Sequence, residues 1–547
     1  MRRGLQWGLC LFMVAGCGDD QPTAAGDGTG TGASTSDGEA EGTTVAADET
    51  GEEATTTGVG QEGSDDAPAD TPPVFAHGMR LSRMTANQAT QVELVNDGVE
   101  VDVADYNTRL ISGRRTLLRA FWTLHADFTP REIIGRLVID YPDGNQLVQD
   151  FPLMVDGDSN DGGASFQWLL EPEDVVDGAL YRVRLLESDP TLATGEISDP
   201  PPILPLASRG TLGVYDVPLE LEVVLIPVRH EFEGEECMPN ITEEDATAMG
   251  QDLEQNNPVQ RAVMSIGEPM PYTDPIGTSG TSFSPVLSAL AQRRAMDNPP
   301  PHVYYYGLVD PCDGYPPGLL GQAIGIPPIP PTPEMAQQRI STGRWNGSGA
   351  AAAETFTHEV GHTQGRYHVL CSGGEGGPDL AYPHPNGRIG VWGFGIHDFA
   401  LRSPTGGRDY MTYCSNEWVS DYAWELTMGV IEILTSWSRA DMTETPGDGL
   451  LMGAIYSDGT EEWWTAPGGL PEPMHTPGAS IVVTREDGET TLPAFVQTRP
   501  DSDTIQVMAP RPAGFADVQT LDIALPDRAV PTELRPADVA DIYSVVR

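Results

Sequence analysis

Eleven residues constrain this 547-residue chain more than any others: His358-Glu359-Val360-Gly361-His362-Thr363-Gln364-Gly365-Arg366-Tyr367-His368, a His-Glu-x-x-His-x-x-Gly-x-x-His pattern. At the chain's own residue frequencies, those five fixed positions would match by chance with a probability on the order of 10⁻⁴ or less. On a helix, His358 and His362 stand one turn apart on the same face, so both imidazoles can reach one metal ion at about 2.0 to 2.1 Å. Glu359 sits beside the first ligand, placed to face a bound water without occupying the metal. The alanines at 350–353 favour helix, with Ser348 as the predicted cap. Continued helix would carry His368 away from the ion, whereas Gly365 can take a left-handed conformation, end the helix and turn the chain back. Three histidines leave a fourth position for water, which is the stoichiometry of a catalytic zinc and not of a structural one.

The charge balance removes one class of partner. With 30 basic against 81 acidic residues, the formal net charge is −51, and such a surface repels phosphate backbones. Nucleic acid is therefore excluded. The chain contains no lysine, so all its fixed side-chain cations are arginine.

The N-terminus carries an address. Arg2 and Arg3 precede an apolar stretch over 5–14, too short to span a bilayer, and Val14-Ala15-Gly16-Cys17 forms a small-residue cleavage site. This resembles the lipobox of bacterial lipoproteins. The resemblance implies a signal peptide at 1–16, lipidation of Cys17 and export to a membrane-anchored position, periplasmic, at the cell surface or released from it; an ordinary secretory signal cut nearby is the alternative. Residues 17–72 are acidic and small, without a basic residue, and cannot bury a core; they are expected to be a disordered linker. Four cysteines then remain for an oxidising compartment: Cys237, Cys312, Cys371 and Cys414. Three pairings are open. Nearness in the chain favours Cys237 with Cys312 and Cys371 with Cys414, and no CxxC spacing supports a thiolate zinc site.

Short β-type runs at 116–124, 136–141 and 180–186, with Pro142-Asp143-Gly144 as a turn, predict an Ig-like β-sandwich over 73–207. Between 208 and 445 strands and helices alternate. Residues 221–228 and 303–309 read as buried strands, and Ser284-Pro285 opens a helix expected to carry Val286, Ala289, Leu290 and Met296 inward. A β-rich domain over 446–547 closes the chain, with strands at 481–484 and 492–496 flanking Asp487-Gly488 and another at 504–508. The expected fold class is thus multidomain, an α/β (α+β) domain flanked by two β domains. Trp463 and Trp464 read as a core strand pair, and His384 and His397 as structural or exposed.

The histidine pattern resembles that of the metzincin metallopeptidases, which add a methionine turn downstream. Asp409-Tyr410-Met411-Thr412-Tyr413-Cys414 matches such a turn. His384-Pro385-Asn386-Gly387, Gly390-Val391-Trp392-Gly393 and Tyr413-Cys414 further resemble secreted bacterial metzincins that include mucin-cleaving StcE-like enzymes. The resemblance covers roughly residues 209–440. It implies a metzincin-like catalytic domain holding one zinc ion through His358, His362 and His368, Glu359 as general base, Met411 as a hydrophobic floor and Tyr413 as a partner of the zinc or the oxyanion. It also implies a zinc metalloendopeptidase acting on extracellular proteins or glycoproteins. An extended substrate would add to a sheet edge, with 321–326 as the expected edge and the proline-rich segment from 327 as a stiff loop over one end of the cleft. The alternatives are a surface adhesin or glycoprotein-binding lipoprotein with a structural zinc site, and hydrolysis of a non-peptide amide. Latency, oligomeric state, calcium in the Asp- and Gly-rich loops and the natural substrate stay open; no PRCGVPD-like cysteine switch precedes the motif.

Overall fold

Alternation of apolar and polar residues builds most of this protein, a multidomain mixed α/β chain made mainly of sheets. The structure, a computed structural model, describes residues 73–547 except 194, 207, 278–281, 372, 374, 375, 527, 529 and 530. The expected signal peptide, the lipidation site Cys17 and the acidic linker lie outside the described residues. The sheets fall in three successive stretches of chain within one compact unit.

In the first stretch an antiparallel sheet runs Val99–Glu100, Gln91–Asn96, Met79–Asn87, Thr116–Leu124, Phe166–Leu170. A second runs Ile203–Leu204, Leu180–Glu187, Arg131–Asp140, Gln146–Val155. Tyr181, Val183 and Leu185 are buried while Arg182 and Arg184 between them are not, and they share one core with Leu118, Trp122 and Phe166 of the first sheet. Period-two burial of this kind is what a half-buried strand requires.

The middle stretch is a mixed sheet in the order Glu235–Cys237, Glu220–Phe232, Tyr304–Val309, Ile340–Arg344, Gly321–Ala323. Arg261–Ile266 and Met270–Tyr272 also pair along Glu220–Phe232. Gly321–Ala323 runs antiparallel to Ile340–Arg344 and ends the order. Leu221, Val223, Leu225, Tyr304 and Tyr306 share a core with helices α1 (Glu243–Asn256), α3 (Gly349–Thr363) and α4 (Asp421–Arg439). Ile226, Val228, Tyr305 and Val309 instead share one with α2 (Ser284–Asp297). Within α2, Val286 and Leu290 are buried as expected, but Ala289 is only partly so and Met296, in the last turn, is 54% exposed. The inward stripe passes through Leu287 and Ala291, because the core on that side also includes Leu450, Met452, Trp464 and Met508 of the last stretch.

That last stretch holds two sheets, Glu461–Ala466, Leu450–Ile455, Ile505–Pro510, Phe495–Thr498 and Gly488–Pro493, Ser480–Arg485, Thr520–Ala524, Thr532–Leu534. Trp463 and Trp464 are buried in the first of these. The expected single strand over 492–496 is divided. Its start pairs in the hairpin, with Ile481 opposite Leu492, and the chain then leaves for the other sheet after Pro493, whose ring removes a ladder donor.

Candidate metal centre

Helix α3 is bounded as its sequence requires. The Ser348 hydroxyl accepts the Ala351 N–H at 3.3 Å. At the other end Arg366 N–H donates to the Gly361 carbonyl at 3.0 Å and Gly365 N–H to the His362 carbonyl at 2.9 Å, with Gly365 at φ +83°. This pair of bonds is a Schellman cap. A Cβ at Gly365 would also lie 2.7 Å from Ile329. The turn returns the chain, and His368 joins the two helical histidines.

The hydrogen bonds of the three imidazoles determine what they can do together. Nδ1 of His358 meets the Tyr410 carbonyl at 2.8 Å, Nδ1 of His362 the Arg366 carbonyl at 2.8 Å, and Nδ1 of His368 the Gly376 carbonyl at 2.7 Å. A carbonyl only accepts, so each Nδ1 carries the proton and each Nε2 of a neutral ring presents a lone pair. Nε2 of His362 and of His368 are 3.1 Å apart, and Nε2 of His358 is buried without a hydrogen-bond partner. Facing lone pairs repel unless a cation lies between them, and nitrogens bound tetrahedrally to zinc stand about 3.3 Å apart. Backbone carbonyls holding the other ring nitrogen are the usual support of metal-binding histidines. Burial pushes His358 down to about 4 and His362 well below its usual value, which keeps both neutral. This donor set fits a divalent metal ion.

A fourth donor completes the group: a carboxylate oxygen of Asp501 lies with the three histidine nitrogens, all within 4.8 Å of one another. No spacing in the sequence marks it, since it lies in the connection between Phe495–Thr498 and Ile505–Pro510. Burial opposes its charge, but a proton on His368 Nε2, standing where a cation would, bonds and attracts it, and with Tyr413 adding a bond its carboxyl comes down to about 2. The Tyr413 hydroxyl is 2.9 Å from His368 Nε2 and donates to Asp501 Oδ1.

Glu359 is 3% exposed, and its Oε2 is buried without a hydrogen-bond partner. Burial raises its carboxyl well above the usual range, and the charge of Asp501 adds to the effect. A cation beside it would act in the opposite sense. Gly321 of the edge strand leaves it room, since a Cβ there would stand 2.6 Å from Glu359 Cγ.

Met411 is buried under α3, where a Cβ on Gly361 would be 2.6 Å from its Sδ. Asp409 shapes that turn by accepting the N–H groups of Met411 at 3.0 Å and Ser420 at 3.2 Å. Disulfides join Cys237 to Cys312 and Cys371 to Cys414, the pairing that chain proximity favours. The second ties the segment after His368 to the residue after Tyr413. His384 and His397 lie outside the cluster, bonded to Asp421 at 2.6 Å and Glu254 at 2.7 Å. Among the described residues no helix is long and apolar enough to cross a membrane.

No protein-family model and no curated protein matches this chain.

Proposed function

We propose that this protein is a zinc metalloendopeptidase of metzincin type, with its catalytic domain at 208–445 between a β-sandwich at 73–207 and a β-rich domain at 446–547, exported and anchored through Cys17 and acting on extracellular proteins or glycoproteins. The observation that carries the reading is the convergence of three imidazole lone pairs, each set by a backbone carbonyl, beside the buried carboxyl of Glu359. His358, His362 and His368 would hold a zinc ion, which would supply Lewis acidity and bring the pKa of water to about 7. Glu359 takes the proton from the attacking water and gives it to the leaving amine. The Tyr413 hydroxyl, beside His368, donates to the developing oxyanion. Met411 holds the helix from below. Each disulfide suits an oxidising compartment.

Glu359→Ala is expected to retain one zinc per chain by metal analysis and to lose cleavage of a broad peptide library. Full cleavage by that variant would remove Glu359 from the mechanism; loss of zinc as well would make it a ligand. One observation favours the second reading, a glycoprotein-binding lipoprotein with a structural site: four protein donors, Asp501 included, resemble a closed structural centre.

A further inference from the structure

Asp501 reaches the histidines from a loop that is clamped on two sides. The buried guanidinium of Arg499 donates to the Ser284 carbonyl at 2.6 Å, to the Ser288 hydroxyl at 3.0 Å and to Gln506 Oε1 at 2.6 Å, which fixes the loop to the first turn of α2. Gln322, in the edge strand Gly321–Ala323, donates to the Pro500 carbonyl at 3.0 Å. The same loop therefore lies beside the strand edge that an extended substrate would need and puts a carboxylate among the metal donors. Among the described residues no second strand occupies that edge. His362 is fully buried and Glu359 nearly so. Asp501 itself is only partly closed off, its side chain 17% exposed, and it borders a cavity of about 580 Å³ with Tyr367 and His368.

We infer that Asp501 is an intramolecular fourth metal ligand and that the 498–504 loop holds the peptidase in a latent state until it is displaced. This rests on the metallopeptidase reading above. It turns the four-donor arrangement into a closed form of a three-histidine catalytic site, with the carboxylate standing where water and substrate must enter. The positive φ of Asp501, +57°, is a conformation that aspartate tolerates better than most residues.

The test uses the full mature chain loaded with cobalt(II), and compares wild type with Asp501→Ala and with Asp501→Asn, which keeps the side chain's shape. Visible absorption reports the ligand set, and titration with acetohydroxamate reports the open position. Both variants are expected to change the cobalt spectrum and to bind acetohydroxamate at least roughly tenfold more tightly, as when a competent state rises from a tenth or less of the population. Peptide cleavage is expected to rise in parallel. Unchanged spectra and unchanged acetohydroxamate affinity in a folded variant would overturn the inference. An opened site that still cleaves no peptide would leave the plug standing and remove the peptidase reading. A wild-type chain that binds no metal overturns both.

Discussion

Gly361 sits between the two helical ligands with the Met411 sulfur and the Tyr410 ring pressed against it. An alanine Cβ there would lie 2.6 Å from Met411 Sδ and 2.8 Å from Tyr410 Cε2. Because the Tyr410 carbonyl also orients His358, a backbone shift at Tyr410 that relieves the clash would move that imidazole. Gly361→Ala is expected to cost about 1–3 kcal/mol in urea unfolding and to weaken zinc binding. Gly429, in α4 with nothing within 4 Å of its Cβ position, is the control, and its alanine variant should be neutral or slightly stabilising. Glu417 gives a pH signature. Burial, with Glu354, Asp252 and Asp409 adding, pushes its carboxyl from 4.5 up to about 8. The folded chain then keeps a proton that the unfolded chain releases, so this group's contribution is full below 4.5 and is lost as pH rises through about 8. Glu417→Gln should flatten the fall in stability across that window by up to about 1.4 kcal/mol per pH unit. Parallel stability curves for the two proteins would show that Glu417 is not the group responsible.

The metal helix was legible because everything that makes it is local. Ser348 caps it, the alanines favour it, the four-residue spacing puts His358 and His362 on one face, and Gly365 ends it at φ +83°. Strands with clean alternation, such as Leu180–Glu187, were legible for the same reason. Helix α2 was read less well. Its buried stripe is decided by two covering surfaces, the central sheet and the C-terminal strands, and a periodicity argument sees only one face. The break after Pro493 was hidden because both pieces are apolar and only the change of sheet partner divides them. Asp501 was beyond reach altogether. Its place in the site depends on how the Arg499 and Gln322 contacts seat a loop from another module, and nothing in Pro500-Asp501-Ser502-Asp503 encodes that encounter.

Across the whole molecule, the site is assembled from segments far apart in the chain: a helix, a turn around Met411 and a loop from the last stretch of strands. The first stretch braces it at a distance, since Trp418, just past the methionine turn, donates its indole N–H to the Ala89 carbonyl at 2.9 Å. The covalent tie between Cys371 and Cys414 joins two of these segments, bringing the approach to His368 alongside Tyr413. This makes the order of maturation a property of the protein. Without that tie only non-covalent contacts such as the Val369 N–H to Met411 carbonyl bond hold the two segments together, so ordering the third imidazole would carry a larger entropic cost. Oxidation is thus expected to precede metal loading. Zinc titration of the reduced, thiol-blocked chain should show weaker binding than the oxidised chain, and equal affinities would mean that the non-covalent contacts alone hold the frame. Metal acquisition would then be timed by arrival in an oxidising compartment, which would keep the metal centre unassembled until that point.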